Sequence, residues 1–135
     1  MESVEERREK AREYYDAFRG VLRAAESLVT GARSREYGPP SSNFIHGDES
    51  YLEMVWVKMS RLVNLVNVKR NALAQDGWTA WDDFDRGRLA DSLIDLINYT
   101  GFWAADILLA GQWPAHLDVQ PVAMVEEVKQ GWPEG

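Results

Sequence analysis

The chain has 135 residues, 22 acids against 15 bases (a net charge of −7), 45% apolar residues, no cysteine and two histidines. That apolar share supports a buried core for one small domain and argues against a disordered chain. The missing cysteines exclude disulfides, thiol nucleophiles and cysteine metal sites, the separation of His46 from His116 excludes a paired-histidine zinc motif, and the acidic balance argues against a nucleic acid polymer as partner.

The first element begins at Ser3, where Ser3 and Glu6 have the spacing of a capping box. Ala11, Tyr14, Phe18, Val21, Leu22, Ala25 and Leu28 then recur at helical spacing on one face. The other face is rich in Glu and Arg, and Gly31 is a natural stop. The opening run MESVEERREK has no apolar signal core, and no apolar run reaches about 18 residues. The expectation is therefore a cytoplasmic protein that does not use a membrane.

Residues 32–47 carry Gly38, Pro39, Pro40, Ser41, Ser42 and Asn43 and read as a loop. Asn43 and Phe44 are candidates there for contact with a base, against the plainer reading of an ordinary turn.

The second block runs from about Asp48 to about Ala74 and is apolar nearly all round. Its valines suit a strand, but its length exceeds any ordinary strand and favours a central helix. Residues 75–83 form a turn with Trp78 and Trp81, both candidates for stacking on a base. The third block runs from about Phe84 to Ala110, stops at Gly111 and has Pro114 beyond. A short fourth helix is expected from Pro121 to Gln130. The whole, residues 1–135, reads as one all-α domain, a bundle of three main helices and a short C-terminal one, completed by oligomerisation.

Polar residues on the two central blocks are few, so their positions are informative. At about 100° per residue, Glu49, Glu53, Ser60, Asn64 and Asn67 fall within ~60° of one another, with Trp56 at the edge. On the third block Arg88, Asp91, Asp95, Asn98 and Asp106 share an arc of ~80°. Antiparallel packing with the two seams facing would bring Glu49, Glu53, Asp91 and Asp95 together. Buried anions need neutralising, and an all-oxygen donor set suits Mg²⁺ or Mn²⁺. The structural alternative is that Lys58, Arg61, Arg70 and Arg88 hold these acids in interhelical salt bridges.

The segments DESYLEMVWVKMSRL and DSLIDLINY resemble the two acidic helices of the MazG-like all-α nucleoside triphosphate pyrophosphohydrolases, the second of which is often written E-x-x-D-V-L-x-Y. With EYGPPSSNF and DSLIDLINYTGF they also resemble small phage proteins of this class, and the likeness spans residues 33–110. It departs from the family in two ways: both acidic pairs are spaced by four residues rather than three, with Ser50 and Ser92 at the three-back positions, and the second pair is Asp/Asp.

The resemblance implies a reaction in which a (deoxy)nucleoside triphosphate and water give the monophosphate and pyrophosphate. It also implies Mg²⁺ or Mn²⁺ on Glu49, Glu53, Asp91 and Asp95, with Glu53 and Asp95 central to catalysis. Arg88, Lys58 or Arg61 would contact phosphate, Asn98 would orient ligand or water, and Trp56 would border the base. Lys58 lies opposite the acidic seam of its own helix and so would serve another face. The resemblance further implies a homodimer or homotetramer, a purine deoxynucleotide such as dGTP as substrate, and a role in phage or bacterial nucleotide-pool control. Two other functions fit the same chain: an acidic helical protein that docks on a host protein, and a nucleotide-binding regulator without turnover.

Overall fold

The structure is a computed structural model, and it describes residues 1–30, 40 and 44–123. Among the described residues three long helices make the fold: α1 (Val4–Thr30), α2 (Asp48–Asp76) and α3 (Asp83–Leu109). A short 3₁₀ turn, η1 (Gly77–Ala80), joins α2 to α3. The described residues include no strand, so the valine-rich second block is helical throughout and the all-α reading holds.

Local chemistry sets the helix ends. The amide of Glu6 donates to Ser3 Oγ at 3.1 Å, and the Ser3 amide donates back to Glu6 Oε2 at 3.3 Å, closing the capping box. Gly47 precedes α2 and Gly77 follows it, both at φ 59°, a left-handed conformation that glycine adopts without strain. The Gly77 amide donates to the carbonyl of Leu73 and ends the helix. Asp82 caps α3, its Oδ1 accepting from the Asp85 amide at 2.8 Å. Past Leu109, the Gly111 amide donates to the Leu108 carbonyl with φ at 71°, so the chain leaves the helix where the sequence places a stop.

The expected turn over 75–83 is shorter than the sequence suggests: α2 continues through Asp76, and α3 starts at Asp83. The expected fourth helix does not begin at Pro121, since residues 121–123 are not helical; its remainder, like Gly31, Tyr37, Gly38 and Asn43, lies outside the described residues.

α2 and α3 form an antiparallel hairpin, and α1 packs against α3. Cross-helix contacts fix the register: Tyr51 meets Asp106, Lys58 meets Asp95 and Lys69 meets Asp85. At the open end of the hairpin Phe44 stacks on Tyr51 (centroids 4.4 Å apart, planes at 15°) and meets Tyr99 edge-on at 5.9 Å. The Trp103 indole N–H donates to Asp48 Oδ1 at 2.6 Å and closes the same corner. Phe44 is thus a packing residue.

The core is small. Among the described residues the buried apolar side chains are Ala25, Tyr51 and Trp81. No described helix is long and apolar enough to cross a membrane.

Candidate functional site

The face that α2 turns to α3 is the one bearing Tyr51, Lys58, Leu65 and Lys69, which recur at steps of seven, seven and four residues. These steps keep side chains on one side of a helix. Lys58 is 7% exposed, and its Nζ lies 2.8 Å from Asp95 Oδ2. Lys69 Nζ lies 3.0 Å from Asp85 Oδ2 and 3.8 Å from Asp82 Oδ2, and it donates to the carbonyl of Ala80 at 3.5 Å. The hydrogen bond to Asp85 raises the Lys69 pKa above its ordinary value; desolvation works against this, and the charges of Asp85 and Asp82 add to it.

These two ion pairs act as rungs between the helices. Between them lies a groove of about 230 Å³ lined by Arg61, Leu65, Arg88, Asp91, Ser92 and Asp95. A second recess of about 200 Å³ shares Arg61, Leu65 and Arg88 and continues to Lys69 and Asp85. Neither Arg61 nor Arg88 has an ion pair with a carboxylate among the described residues; the Arg88 guanidinium sits 5.5 Å over the Phe84 ring. Asp91 likewise has no ion pair, and the hydroxyl of the buried Ser92 bonds to no described residue. Arg61, Arg88 and Asp91 are exposed, and two guanidiniums without carboxylate partners on one groove are the kind of donor set that suits a planar or tetrahedral oxyanion.

The fold therefore brings together Arg61, Arg88, Asp91 and Asp95, with Lys58 paired to Asp95 Oδ2. It does not bring in Glu49, Glu53, Trp56 or Asn98. Glu49 and Glu53 are exposed, and at about 100° per residue Glu49 lies ~180° around α2 from Lys58. The expected meeting of Glu49 and Glu53 with Asp91 and Asp95 is not formed: the α3 seam faces α2, while the acidic seam of α2 faces away. Trp56 is 71% exposed on that outer side, and Asn98 is buried on α3 without lining the groove. Lys58, expected to serve another face if it bound phosphate, instead points at α3 and pairs with Asp95, which is the interhelical salt bridge of the structural alternative.

No three of the described Asp, Glu and His side chains gather into a group that could hold a metal ion. Asp95 is held by a lysine, which leaves Asp91 as the unpaired carboxylate of the groove. These residues do not fit a resident Mg²⁺ or Mn²⁺ held by four carboxylates.

The sequence reading missed the Tyr51–Asp106 bond and the Lys69–Asp85 rung, whose signal was present in the 51, 58, 65, 69 spacing, and it gave Ser92 no role. Tyr51, 1% exposed, donates to Asp106 Oδ2 at 2.5 Å, and its pKa is raised far above the tyrosine range, first by burial, then by that hydrogen bond and the charge of Asp106.

On the other side of the hairpin an apolar cleft of about 430 Å³ is walled by Val66, Leu73, Trp78, Trp81, Leu89 and Leu93. Comparison with protein-family models, with characterised proteins and with solved structures found no match.

Proposed function

We propose that the groove between α2 and α3 takes the phosphate chain of a nucleoside triphosphate, and that the protein hydrolyses it to the nucleoside monophosphate and pyrophosphate. The observation that carries this reading is the pair Arg61 and Arg88, open to one groove without carboxylate partners. Two such guanidiniums match a polyphosphate in charge and in fork geometry. The reaction class comes from the likeness of residues 33–110 to MazG-like enzymes.

In that reaction water adds to the α-phosphorus, the bond to the oxygen bridging the α- and β-phosphates breaks, and pyrophosphate leaves with that oxygen. Arg61 and Arg88 offset the charge of the phosphates. Asp91, the carboxylate of the groove that no cation holds, accepts the proton of the attacking water. Lys58 positions Asp95 on one wall, and the Ser92 hydroxyl supplies a donor on the same side. A purine deoxynucleotide such as dGTP is the first substrate to test, with nucleotide-pool control as the role.

A second reading is favoured by a specific observation. The paired Asp95 and the outward Glu49 and Glu53 leave the chain short of the family's metal set, which suits a nucleotide-binding regulator without turnover. One experiment separates the two: a pyrophosphate-release panel over the eight common triphosphates with Mg²⁺ and with Mn²⁺, run beside calorimetric binding of each. Release of pyrophosphate supports the enzyme, and binding without release supports the regulator. Absence of both removes the nucleotide and leaves the acidic interaction protein.

A further inference from the structure

The groove and the recess that continues it differ in charge. Both are lined by Arg61, Leu65 and Arg88. The groove adds Asp91 and Asp95, so its lining charges cancel, and Lys58 behind Asp95 returns a single positive one. The recess adds Lys69 and Asp85, which pair at 3.0 Å and cancel each other, so it keeps the charge of both guanidiniums. It also holds Asn64, whose amide can donate two hydrogen bonds and whose side chain bonds to no described residue. At about 230 Å³ and about 200 Å³, groove and recess are each smaller than the ~300–1,000 Å³ of a pocket that encloses a whole small-molecule ligand. Each has room for part of a nucleotide, and the two guanidiniums belong to both.

We propose that the recess beside Lys69 binds inorganic pyrophosphate on its own, so that this product is released last and holds off the next substrate. The inference rests on the reaction proposed above and gives it a direction along the two helices. A diphosphate carries more negative charge than one esterified phosphate, and it gains most where the net charge is most positive. The α-phosphate then lies in the groove beside Asp91, where that carboxylate takes the proton of the attacking water. The bridging oxygen falls at the junction, which Arg61 and Arg88 line from both sides. When its bond to the α-phosphorus breaks, pyrophosphate keeps that oxygen and both guanidiniums. The monophosphate is left facing Asp91 and Asp95, whose charges oppose it, and leaves first. The reverse direction would set the diphosphate against those two carboxylates and give the positive recess to the uncharged nucleoside.

The test is calorimetric titration of inorganic pyrophosphate into the full chain with divalent ions chelated, beside orthophosphate and a nucleoside monophosphate. One pyrophosphate per chain is expected, bound about tenfold or more tighter than either of the others and displacing a bound triphosphate. Asn64→Asp puts a carboxylate into the recess at an exposed position, so the fold tolerates it, and it should weaken pyrophosphate about tenfold or more. Asn67→Asp adds the same charge to α2 but lines neither recess, and solvent screening should hold its effect below about threefold. Equal effects of the two substitutions overturn the assignment. Tighter pyrophosphate binding in Asp91→Asn, with none lost in Asn64→Asp, puts the diphosphate in the groove and overturns the direction. Triphosphate binding that depends on Arg61 and Arg88 without any binding of pyrophosphate overturns this inference and leaves the proposed function standing, whereas binding of neither overturns both.

Discussion

The Tyr51 phenol donates a hydrogen bond to Asp106 from a position that water scarcely reaches, and this has a measurable consequence. Its pKa is raised by burial first, so the folded state holds that proton more tightly than the unfolded chain, whose tyrosine titrates near 10.0. The stabilisation is therefore complete below that value and fades as pH rises through it and beyond. Ultraviolet titration is expected to show one of the five tyrosines ionising last, as the fold is lost, and Tyr51→Phe is expected to remove that late step. Lys58 behaves differently. Removing it as Lys58→Met leaves Asp95, itself partly exposed, without its cation; we expect a loss of about 1–3 kcal/mol, below the figure for a fully buried pair. A double-mutant cycle in urea with Asp95→Asn measures it. Trp81 offers a third reading: its indole N–H is buried with no partner. Trp81→Phe deletes an unsatisfied donor along with some packing and should change stability by less than ~1 kcal/mol. Trp81→Ala leaves a void and should cost ~3–5 kcal/mol by the same urea measurement.

At the scale of elements, helix ends were readable and helix orientation was only half readable. Ser3, Glu6 and Gly111 mark their ends by local chemistry that needs no tertiary partner, whereas the end of α2 at Gly77 lies past the stop expected near Ala74. Asp82 is the same kind of signal, and Asp82→Ala is expected to cost about 1 kcal/mol by losing its bond to the Asp85 amide. Orientation is a tertiary matter. The polar residues of α3 form one seam, and that seam faces α2. α2 carries two polar seams, one through Glu49 and Glu53 and one through Lys58, Arg61 and Lys69, on opposite sides. Wheel geometry alone cannot choose between them. Packing chooses the basic one, because lysine stems lie along apolar surface while their ammonium groups reach the acids of α3, and short carboxylates facing the same acids would repel them. The residues of the groove were therefore visible as residue types, while the partnership of Lys58 with Asp95 depended on a face the sequence leaves open.

For the whole molecule, few of the described side chains are buried and many apolar ones among them are exposed, so stability is expected to depend on protein concentration if the expected oligomer forms. Thermal midpoints should rise as the chain is concentrated, and a midpoint constant over a hundredfold range of concentration would contradict an obligate assembly. The central functional claim concerns the two unpaired arginines. Calorimetric titration of a nucleoside triphosphate into the unmodified protein, Arg61→Ala, Arg88→Ala and the pair Glu49→Gln with Glu53→Gln tests it directly. Binding should weaken about tenfold or more in each arginine variant, the loss expected for one charged hydrogen bond, and stay unchanged in the glutamate pair. Equal binding in the arginine variants, or a loss confined to the glutamates, would contradict it and return the site to the outer face of α2.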